Sequence, residues 1–510
     1  MSSTNTARTL FVSSIARTIF LVVNIIVSFF MMPFIIGHLG AHWYGIWVII
    51  GNLTGYYYLL DLGFSSAVPR YTTEHIQNKN YDAANGIINT ALVIYTSLAS
   101  IIILVTFAII MFAEFLIKSP EDLWLVRVVI ALIGLSMALE FPFKAFTGII
   151  QANLRFDLMT YSHFITFTMS TVAVVYFLSR GHGILALAVI GLVSAQVSNL
   201  LYFCIGRHLF KQMKIEARLF RKSEARKLLS FSVWAFVINI AQMMRFQIDS
   251  IVIGGIISAT AVTHYFIGAR LVDYFQSLIF RATDMTMPIF IKDHVLGDMV
   301  SVRRKLLFAT RINAALGIFG SGLIIIVGKA FILRWMGSDY LDAYPVLVVL
   351  IIAAIAEILV NPLGNVLYAI NRHSFLAKIN LAEGVVKLSL SLLFIHYYGI
   401  IAVAIGTAAP LLIVRIFLIP AYVCKHIGLS VRTYLGNLTG TVAFTGAYLA
   451  VLYWIAQPML MFPSYSSIIC LTGAASFIYG LSILFVTFSK GERRLLLSAV
   501  RGNRAIKGSY

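Results

Sequence analysis

The sequence is poor in charge and in cysteine. Charged residues make up 12% of its 510 residues, about half of the roughly 25% that a soluble domain carries. Cys204, Cys424 and Cys470 show neither metal-ligand spacing nor a disulfide framework, so we predict no metal site. Gly328-Lys329 lacks the glycine-rich loop of a nucleotide-binding motif. These absences argue against an enzyme, and we predict neither catalytic residues nor a bound cofactor.

Long apolar runs fill most of the chain. Hydrophobic residues make up 60% of the sequence, and runs of about 20 residues can cross the roughly 30 Å hydrocarbon core as helices. Lipid cannot satisfy backbone polar groups, and the runs lack the alternation of barrel strands. We therefore predict an all-α integral membrane protein with about fourteen transmembrane helices. Numbered from the amino terminus, the predicted spans are 10–36, 43–66, 86–113, 124–147, 160–179, 183–206, 228–256, 262–288, 308–333, 343–370, 377–397, 399–422, 436–457 and 465–488.

Lysine and arginine are distributed unevenly between the predicted loops. One alternating set of loops, together with both chain ends, contains about 26 of these residues, and the opposite set contains about four. Because cytoplasmic loops are enriched in Lys and Arg, this asymmetry predicts that both termini lie in the cytoplasm. The same bias accounts for the net charge of +19 through contact with membrane lipids. No basic domain is present that would favour nucleic acid as a partner.

An internal repeat divides the chain into two halves. The segment Pro69–His75 matches Pro288–His294, with a proline followed by an acid and a histidine at the same spacing. Other pairs keep the same order and an offset of about 216–220 residues: Gly37 and Gly51 with Gly254 and Gly268, Gly183 with Gly399, and Tyr202 with Tyr422. Each half therefore carries six spans. An even number of spans makes the repeats parallel, related by an axis along the membrane normal.

The repeat predicts the domain organisation of the chain. The long basic stretch Arg207–Lys227 is amphipathic, which suits a segment on the membrane surface, and it reads as the linker between the halves. The predicted parts are an N-lobe at 1–210, a basic cytoplasmic linker at 211–227, a C-lobe at 228–430, two added helices within 431–490 and a basic cytoplasmic tail at 491–510.

Ionisable residues inside the predicted spans are the candidate functional residues. An arginine at mid-bilayer costs about 2.5–3.5 kcal/mol on insertion scales, so such residues should face a wet interior and find partners. Span 8 carries one stripe at helical spacing, formed by Arg270, Asp273, Ser277, Arg281 and Asp284. The alternative is that these charges form ion pairs that hold the bundle, such as Glu140 with Lys144 or Arg245 with Asp249 at i,i+4.

The cations outnumber what cohesion of the bundle needs, so we predict a positive, water-filled cavity for an anionic substrate. Arginine binds phosphate oxygens through a bidentate fork. The predicted substrate-binding residues are Arg17, Arg245, Arg270, Arg281, Lys387 and Arg415. Acids within a membrane can take part in H⁺ or Na⁺ coupling, and each can instead be the counter-ion of a neighbouring arginine. The candidate coupling residues are Asp61, Asp249, Asp273, Glu357 and Glu383.

The stretch Pro33–Tyr71 carries a recognisable pattern. It has Leu-Gly before Tyr-Gly-x-Trp, then Leu-Asp-Leu-Gly-Phe, and Arg-Tyr near the helix end. This pattern resembles the start of the bacterial polysaccharide-biosynthesis flippases of the Wzx type, which handle O-antigen and exopolysaccharide. Those flippases belong to the MOP superfamily, together with the MATE exporters and the lipid II flippase. Helix count, repeat and chain length resemble that superfamily over essentially the whole chain.

The resemblance implies a V-shaped bundle with two lobes around a central cavity. It also implies a substrate, an undecaprenyl-pyrophosphate-linked oligosaccharide, moved by alternating access from the cytoplasmic to the periplasmic leaflet of the inner membrane. Cationic residues on helices 1, 7 and 8 line the cavity of such flippases, and Arg17, Arg245 and Arg270 occupy comparable places here.

A polysaccharide polymerase and glycosyltransferases are the protein partners that this role implies. Two other functions stay open from the sequence. A cation-coupled multidrug exporter of the MATE type would have a cavity dominated by acids. A non-transporting membrane scaffold of glycan assembly would tolerate changes of charge in its cavity.

Overall fold

The computed structural model describes residues 3–116, 122–229, 240, 243, 247–283, 286–460 and 464–493. Within these residues, eleven helices are long and apolar enough to cross a membrane. The chain is therefore an all-helical, multi-pass membrane protein. The count of about fourteen spans stays a prediction, because most of predicted span 7, at 228–256, lies outside the described residues.

The chain divides into two compact units, Met1–Thr263 and His264–Tyr510. The predicted lobe, linker and tail boundaries stay a prediction. The first unit contains helices α1 (Ser3–Gly55), α2 (Phe64–Gln77), α3 (Tyr81–Met111), α4 (Leu123–Ala152), α5 (Phe156–Ser179), α6 (Gly183–Leu209) and α7 (Ile248–Ile256). The chain continues with α8 (Ala259–Thr283), α9 (Thr286–Val295), α10 (Met299–Trp335), α11 (Ala343–Ala369), α12 (His373–Tyr398), α13 (Ile400–Ile427), α14 (Val431–Leu460) and α15 (Tyr465–Val486).

Glycines mark the breaks between successive spans. At Gly40 the backbone of α1 leaves the helical conformation, with φ 79° and ψ 162°, between predicted spans 1 and 2. Gly183, with φ 62°, begins α6, and Gly399, with φ 58°, separates α12 from α13. Glycine adopts positive φ without the steric cost that other residues meet. Each long apolar run, the one interrupted at Gly183 and the one interrupted at Gly399, therefore forms two helices.

The backbone of the second unit repeats features of the first. Asn80 at the start of α3 accepts a hydrogen bond from the Ala83 N–H, and Asp298 at the start of α10 accepts one from the Ser301 N–H. Positive φ angles also recur at an offset of about 217 residues, in the pairs Lys79 and Gly297, Leu154 and Asn371, and Gly183 and Gly399. The same helix ends and turns thus occur in both halves of the sequence.

Close helix contact builds the core of the first unit. Tyr57, Tyr95 and Phe141 are buried together where α3 and α4 meet the turn before α2. A Cβ atom at Gly134 of α4 would lie 2.3 Å from the Thr106 side chain of α3, so only glycine permits this approach. This packing fixes the face of α4 that carries the polar residues described below.

Asparagine side chains hold the basic stretch after α6 against α3. The Asn85 amide donates to the Gln212 carbonyl at 3.0 Å and accepts from the Lys214 N–H at 2.9 Å. The Asn89 amide donates to the Lys214 carbonyl at 2.7 Å and accepts from the Glu216 N–H at 2.9 Å. Both asparagines are buried. The backbone of the stretch is therefore fixed to the first unit, rather than continuing as one amphipathic helix.

Replacing Asn89 with leucine is expected to expose this stretch to protease. The change removes two hydrogen bonds to the backbone of residues 214 and 216, each worth about 1 kcal/mol. We expect tryptic cleavage between residues 211 and 227 to become about thirtyfold faster, because cleavage follows the population of the open form and the two bonds together contribute about 2 kcal/mol. Limited digestion with mass spectrometry measures the rate. The exposed Asn78 is the control, and equal cleavage of the Asn89→Leu and Asn78→Leu proteins would contradict the prediction.

Candidate functional site

A polar cavity of about 830 Å³ lies within the first unit. Its walls come from α1, the turn before α2, and helices α4, α5 and α6. Its volume falls in the range of roughly 300–1,000 Å³ that is usual for small-molecule sites. Charged and amide side chains in the wall include Asn24, Asp61, Glu140, Lys144, Gln151 and Asn199. The cavity wall can therefore form hydrogen bonds and ionic contacts with a polar ligand, in a chain that is otherwise mostly apolar.

Asp61 is held rigidly at one side of this cavity. It ends a 3-10 turn, Tyr56–Asp61, that joins α1 to α2. Its carboxylate accepts from the Ser65 N–H at 3.1 Å, from the Ser65 hydroxyl at 2.7 Å and from the Tyr95 hydroxyl at 3.2 Å. The Ser65 N–H belongs to the first turn of α2, where backbone donors have no partner within the helix. Asp61 thus caps α2 while it lines the cavity.

Lys144 of α4 is the cation of the cavity wall. Its ammonium lies 3.8 Å from the Asp61 carboxylate. It also lies 4.5 Å from the centre of the Tyr58 ring and 4.1 Å from the centre of the Phe141 ring. An ammonium over the face of an aromatic ring is attracted by the ring quadrupole. The carboxylate and the two rings together hold the Lys144 charge in place.

Glu140 adds a second carboxylate to the same wall. It lies one turn before Lys144 on α4, and Thr147 and Gln151 follow on the same face. The sequence had suggested a Glu140–Lys144 pair as a structural alternative. The structure instead gives Lys144 its ion pair with Asp61. Among its described side chains, the wall therefore carries two acids and one lysine.

Neutral polar groups and aromatic rings complete the cavity. The Tyr202 hydroxyl of α6 and the His163 imidazole of α5 are hydrogen-bonded at 2.8 Å. Asn199 of α6 donates to Gln196 at 3.1 Å. The ring of Phe20 on α1 lies 6.3 Å from the His163 ring in a stacked arrangement. Hydroxyls, amides and ring faces in one cavity can hydrogen-bond and stack on a polar ligand at the same time.

Arg17 lies on α1 about one helical turn before the cavity wall. On α1 it precedes the lining residues Phe20 and Asn24 by about one and two helical turns, on the same face. Its exposed guanidinium stacks over the ring of Phe156 at 4.4 Å. The neighbouring Arg155 donates to both carboxylate oxygens of Asp157, from Nε to Oδ1 at 3.0 Å and from Nη2 to Oδ2 at 3.0 Å, and this hydrogen bonding raises the pKa of Arg155. Arg17 is thus exposed, and no carboxylate among the described side chains binds it in that way.

The second unit contains a smaller and mostly apolar cavity of about 430 Å³. Arg415 of α13 is the charged residue among the described side chains of its wall. Its guanidinium lies 3.4 Å from Glu383 and donates to Asn380 at 3.2 Å, both on α12. A π-helical turn, Val414–Leu418, widens α13 at this point. Such turns redirect side chains and are frequent at functional sites.

The structure places other predicted residues apart from these two cavities. Arg270 lies 3.8 Å from Asp273, one turn along α8, and both side chains are about half exposed. Glu357 of α11 accepts a hydrogen bond from the Gln276 amide at 3.4 Å. Arg281 is exposed at the end of α8.

The remaining predicted residues are buried or lie outside the described residues. Lys387 and Asp249 are buried, at 2% and 7% exposure. Arg245 and Asp284 lie outside the described residues. The six predicted cations are divided between the two units. That they converge on one cavity therefore stays a prediction.

The prediction of site residues omitted Lys144, Glu140 and the neutral polar residues of the first cavity. The signal was present in the sequence, because Glu140, Lys144, Thr147 and Gln151 follow helical spacing within span 4. Their partner Asp61 could not be identified, since it comes from another helix.

Comparisons with known proteins place the chain among membrane proteins of glycan assembly. A family model described as "Polysaccharide biosynthesis protein" matches residues 39–345. The chain is 21% identical over 486 residues to a protein of Bacillus subtilis (strain 168) described as "Uncharacterized membrane protein EpsK", covering 94% of this chain and 95% of that protein.

Solved structures share the fold at low sequence identity. An inward-facing multidrug resistance MATE family transporter of the MOP superfamily superposes with a TM-score of 0.68 and 12% identity, covering 79% of this chain and 94% of that one. The lipid II flippase MurJ, in an inward closed conformation, superposes with a TM-score of 0.64 and 14% identity, covering 93% of this chain and 100% of that one. The chain therefore has the fold of the MOP superfamily.

Proposed function

We propose that this chain, which belongs to the polysaccharide biosynthesis protein family, moves an undecaprenyl-pyrophosphate-linked oligosaccharide from the cytoplasmic to the outer leaflet of the inner membrane. The cargo is an O-antigen or exopolysaccharide repeat unit. The chain acts as a transporter by alternating access, not as an enzyme. Both of its termini lie in the cytoplasm, where glycosyltransferases build the cargo, and a polysaccharide polymerase receives the cargo on the other side.

The observation that supports this proposal is a polar cavity with Arg17 about one helical turn before its wall. The cavity of the first unit offers about 830 Å³ within a bundle of apolar helices. A lipid tail needs no such cavity, because it stays in the bilayer. A sugar head group does need one, since its hydroxyls would otherwise have to cross a medium that offers no hydrogen bonds.

Arg17 supplies the contact for the charged linkage of the cargo. The rise of 1.5 Å per residue puts it about 10 Å along α1 from Asn24 inside the cavity. A pyrophosphate at Arg17 would therefore leave its sugar directed toward the cavity and its lipid outside. Arginine suits this role because its planar fork makes two parallel hydrogen bonds to phosphate oxygens.

Replacing Arg17 with alanine is expected to slow translocation about ten- to hundredfold. A hydrogen bond to a charged group contributes about 1.5–3 kcal/mol, which corresponds to that factor. Purified protein is reconstituted into liposomes that contain an undecaprenyl-pyrophosphate-linked oligosaccharide. A membrane-impermeant glycosidase then reports how fast the sugar reaches the outer leaflet.

Arg180 provides the matched control for this experiment. It is also an exposed arginine stacked on an aromatic ring, 4.9 Å from the ring centre of Tyr176. It lies ten residues beyond Ser170, the last lining residue of α5, whereas Arg17 lies three residues before the lining residue Phe20. The Arg180→Ala protein should translocate at the rate of the unchanged protein. Liposomes with the unchanged protein that translocate no faster than empty liposomes would refute the proposed function. An Arg17→Ala protein that matches Arg180→Ala would refute the role of Arg17.

A second candidate function is a cation-coupled multidrug exporter. The observation that favours it is the presence of Asp61 and Glu140 in the cavity beside a single lysine, because organic cations require acidic surroundings. Deletion of the gene decides between the two. Loss of surface polysaccharide with unchanged drug resistance supports the flippase, and drug sensitivity with intact polysaccharide supports the exporter.

A further inference from the structure

The described wall of the first cavity lacks the net positive charge that a binding site for an anion needs. Lys144 is the cation among the described side chains of the wall. Its ammonium lies 3.8 Å from the Asp61 carboxylate and stacks over the rings of Tyr58 and Phe141, so it already has partners. Glu140 adds a carboxylate on the same wall. With both acids ionised, the described wall carries a formal charge of about −1, and with Glu140 protonated it carries about zero. The described wall therefore has no net positive charge, whether Glu140 is ionised or protonated.

The neutral groups of the cavity match the chemistry of sugars. Asn24, Gln151 and Asn199 supply amides that both donate and accept hydrogen bonds, and Ser194 and Ser198 supply hydroxyls. The Ser194 hydroxyl is buried and has no hydrogen-bond partner in the structure.

Ring faces in the same wall add apolar contact. Phe20, Phe143 and Phe167 line the cavity together with Tyr58 and Tyr202. The C–H face of a pyranose is apolar while its rim carries hydroxyls, so aromatic rings beside amides bind both surfaces. A cavity of about 830 Å³ accommodates a short oligosaccharide.

We propose that the cavity of the first unit binds the sugar portion of the cargo and selects neutral or amino sugars over uronic acids, because the described wall offers a sugar carboxylate no free cation and an ionised Glu140 repels it. This inference rests on the proposed function and adds the class of sugar. Arg17 takes the negative charge of the linkage, and the interior of the cavity takes the uncharged rings. The division follows from the position of Arg17 outside the acidic wall.

A cysteine-protection experiment tests the inference without the lipid. Cys204, Cys424 and Cys470 are replaced by serine, and Ser198 in the cavity wall is replaced by cysteine. A water-soluble maleimide labels the new thiol in solubilised protein. We expect a disaccharide of N-acetylglucosamine to slow the labelling at concentrations about tenfold lower than a disaccharide of galacturonic acid requires, because like charges in a site of reduced dielectric repel.

Two matched variants and a second labelling position test whether the difference between the sugars comes from Glu140. Glu140→Gln should reduce the difference between the two disaccharides to less than about threefold, because the repelling charge is gone. Glu114→Gln removes an exposed carboxylate, paired with Arg127 outside the cavity, and should leave the difference unchanged. A cysteine at the exposed Ser223 should be labelled at the same rate with either sugar.

The outcomes separate this inference from the proposed function. Equal protection by both disaccharides, or no protection by the neutral one, overturns the inference even when the liposome experiment shows translocation. Absence of translocation with clear protection overturns the proposed function and leaves a sugar-binding site. The comparison of the two disaccharides in the labelled protein that keeps Glu140 does not depend on whether the Glu140→Gln protein folds.

Discussion

Replacing Asp61 with alanine is expected to destabilise the first unit by about 3–5 kcal/mol, the usual cost of removing one partner of a buried ion pair. Asp61 is 6% exposed, and the side chain of Lys144 is 12% exposed. The change would leave the ammonium in this setting without the carboxylate. It would also remove the acceptor of the Ser65 N–H at the start of α2. A fall in melting temperature of detergent-solubilised protein measures the effect.

The double variant Asp61→Leu with Lys144→Met tests whether the unpaired Lys144 ammonium causes the loss of stability. An ion pair replaced by apolar side chains of similar volume is often as stable as the original, so most of the lost stability should return. Glu114→Ala is the control for loss of a carboxylate. Its pair with Arg127 is exposed, and such pairs contribute about 1 kcal/mol or less. If Asp61→Ala melts at the same temperature as Glu114→Ala, the buried pair does not stabilise the unit.

Much of the fold could be predicted because lipid restricts what a chain can do. Apolar runs give the helices, and breaks between them need residues that tolerate unusual backbone angles. Gly40 and Gly399 are such residues, and the structure confirms a break at each. The match between Pro69–His75 and Pro288–His294 falls in α2 and α9, which occupy the same place in the order of helices.

Contacts between distant parts of the chain could not be predicted from periodicity. The sequence shows that Glu140 and Lys144 are one turn apart, and that spacing suggests a pair within α4. It contains no signal that Asp61, which comes from another helix, lies 3.8 Å from the same ammonium. The basic stretch after α6 gives a second example. Its charge pattern suggests a linker on the membrane surface, and it gives no sign that asparagines of α3 bind the backbone of the stretch.

The predicted cation-lined cavity depends on residues of both units, and the described geometry divides those residues into different surroundings. Arg17 is exposed and stacked on an aromatic ring. Arg415 is buried and paired with Glu383. A cation that binds a moving anion must be able to exchange partners. An arginine in a buried pair exchanges its partner only at a high cost, so the two arginines are expected to respond differently to substitution.

Replacing Glu383 with alanine is expected to cost the second unit about 3–5 kcal/mol, because the Arg415 guanidinium would lose a carboxylate at 3.4 Å in a buried site. The side chains of Arg415 and Glu383 are 6% and 3% exposed, so water cannot replace the lost contact. The melting temperature of the solubilised protein should fall. Asp273→Ala is the matched control, since its ion pair with Arg270 is about half exposed, and it should change stability by about 1 kcal/mol or less.

The double variant Glu383→Leu with Arg415→Met separates stability from transport. Apolar replacement of the whole pair should restore most of the melting temperature. If Arg415 also binds the cargo, translocation in liposomes should remain about tenfold or more below the rate of the unchanged protein, because the charge-assisted hydrogen bonds to phosphate are lost. Full recovery of both stability and translocation would show that Arg415 and Glu383 act on the packing of α12 against α13. Arg17 would then remain among the predicted binding residues, and Arg415 would be removed from them.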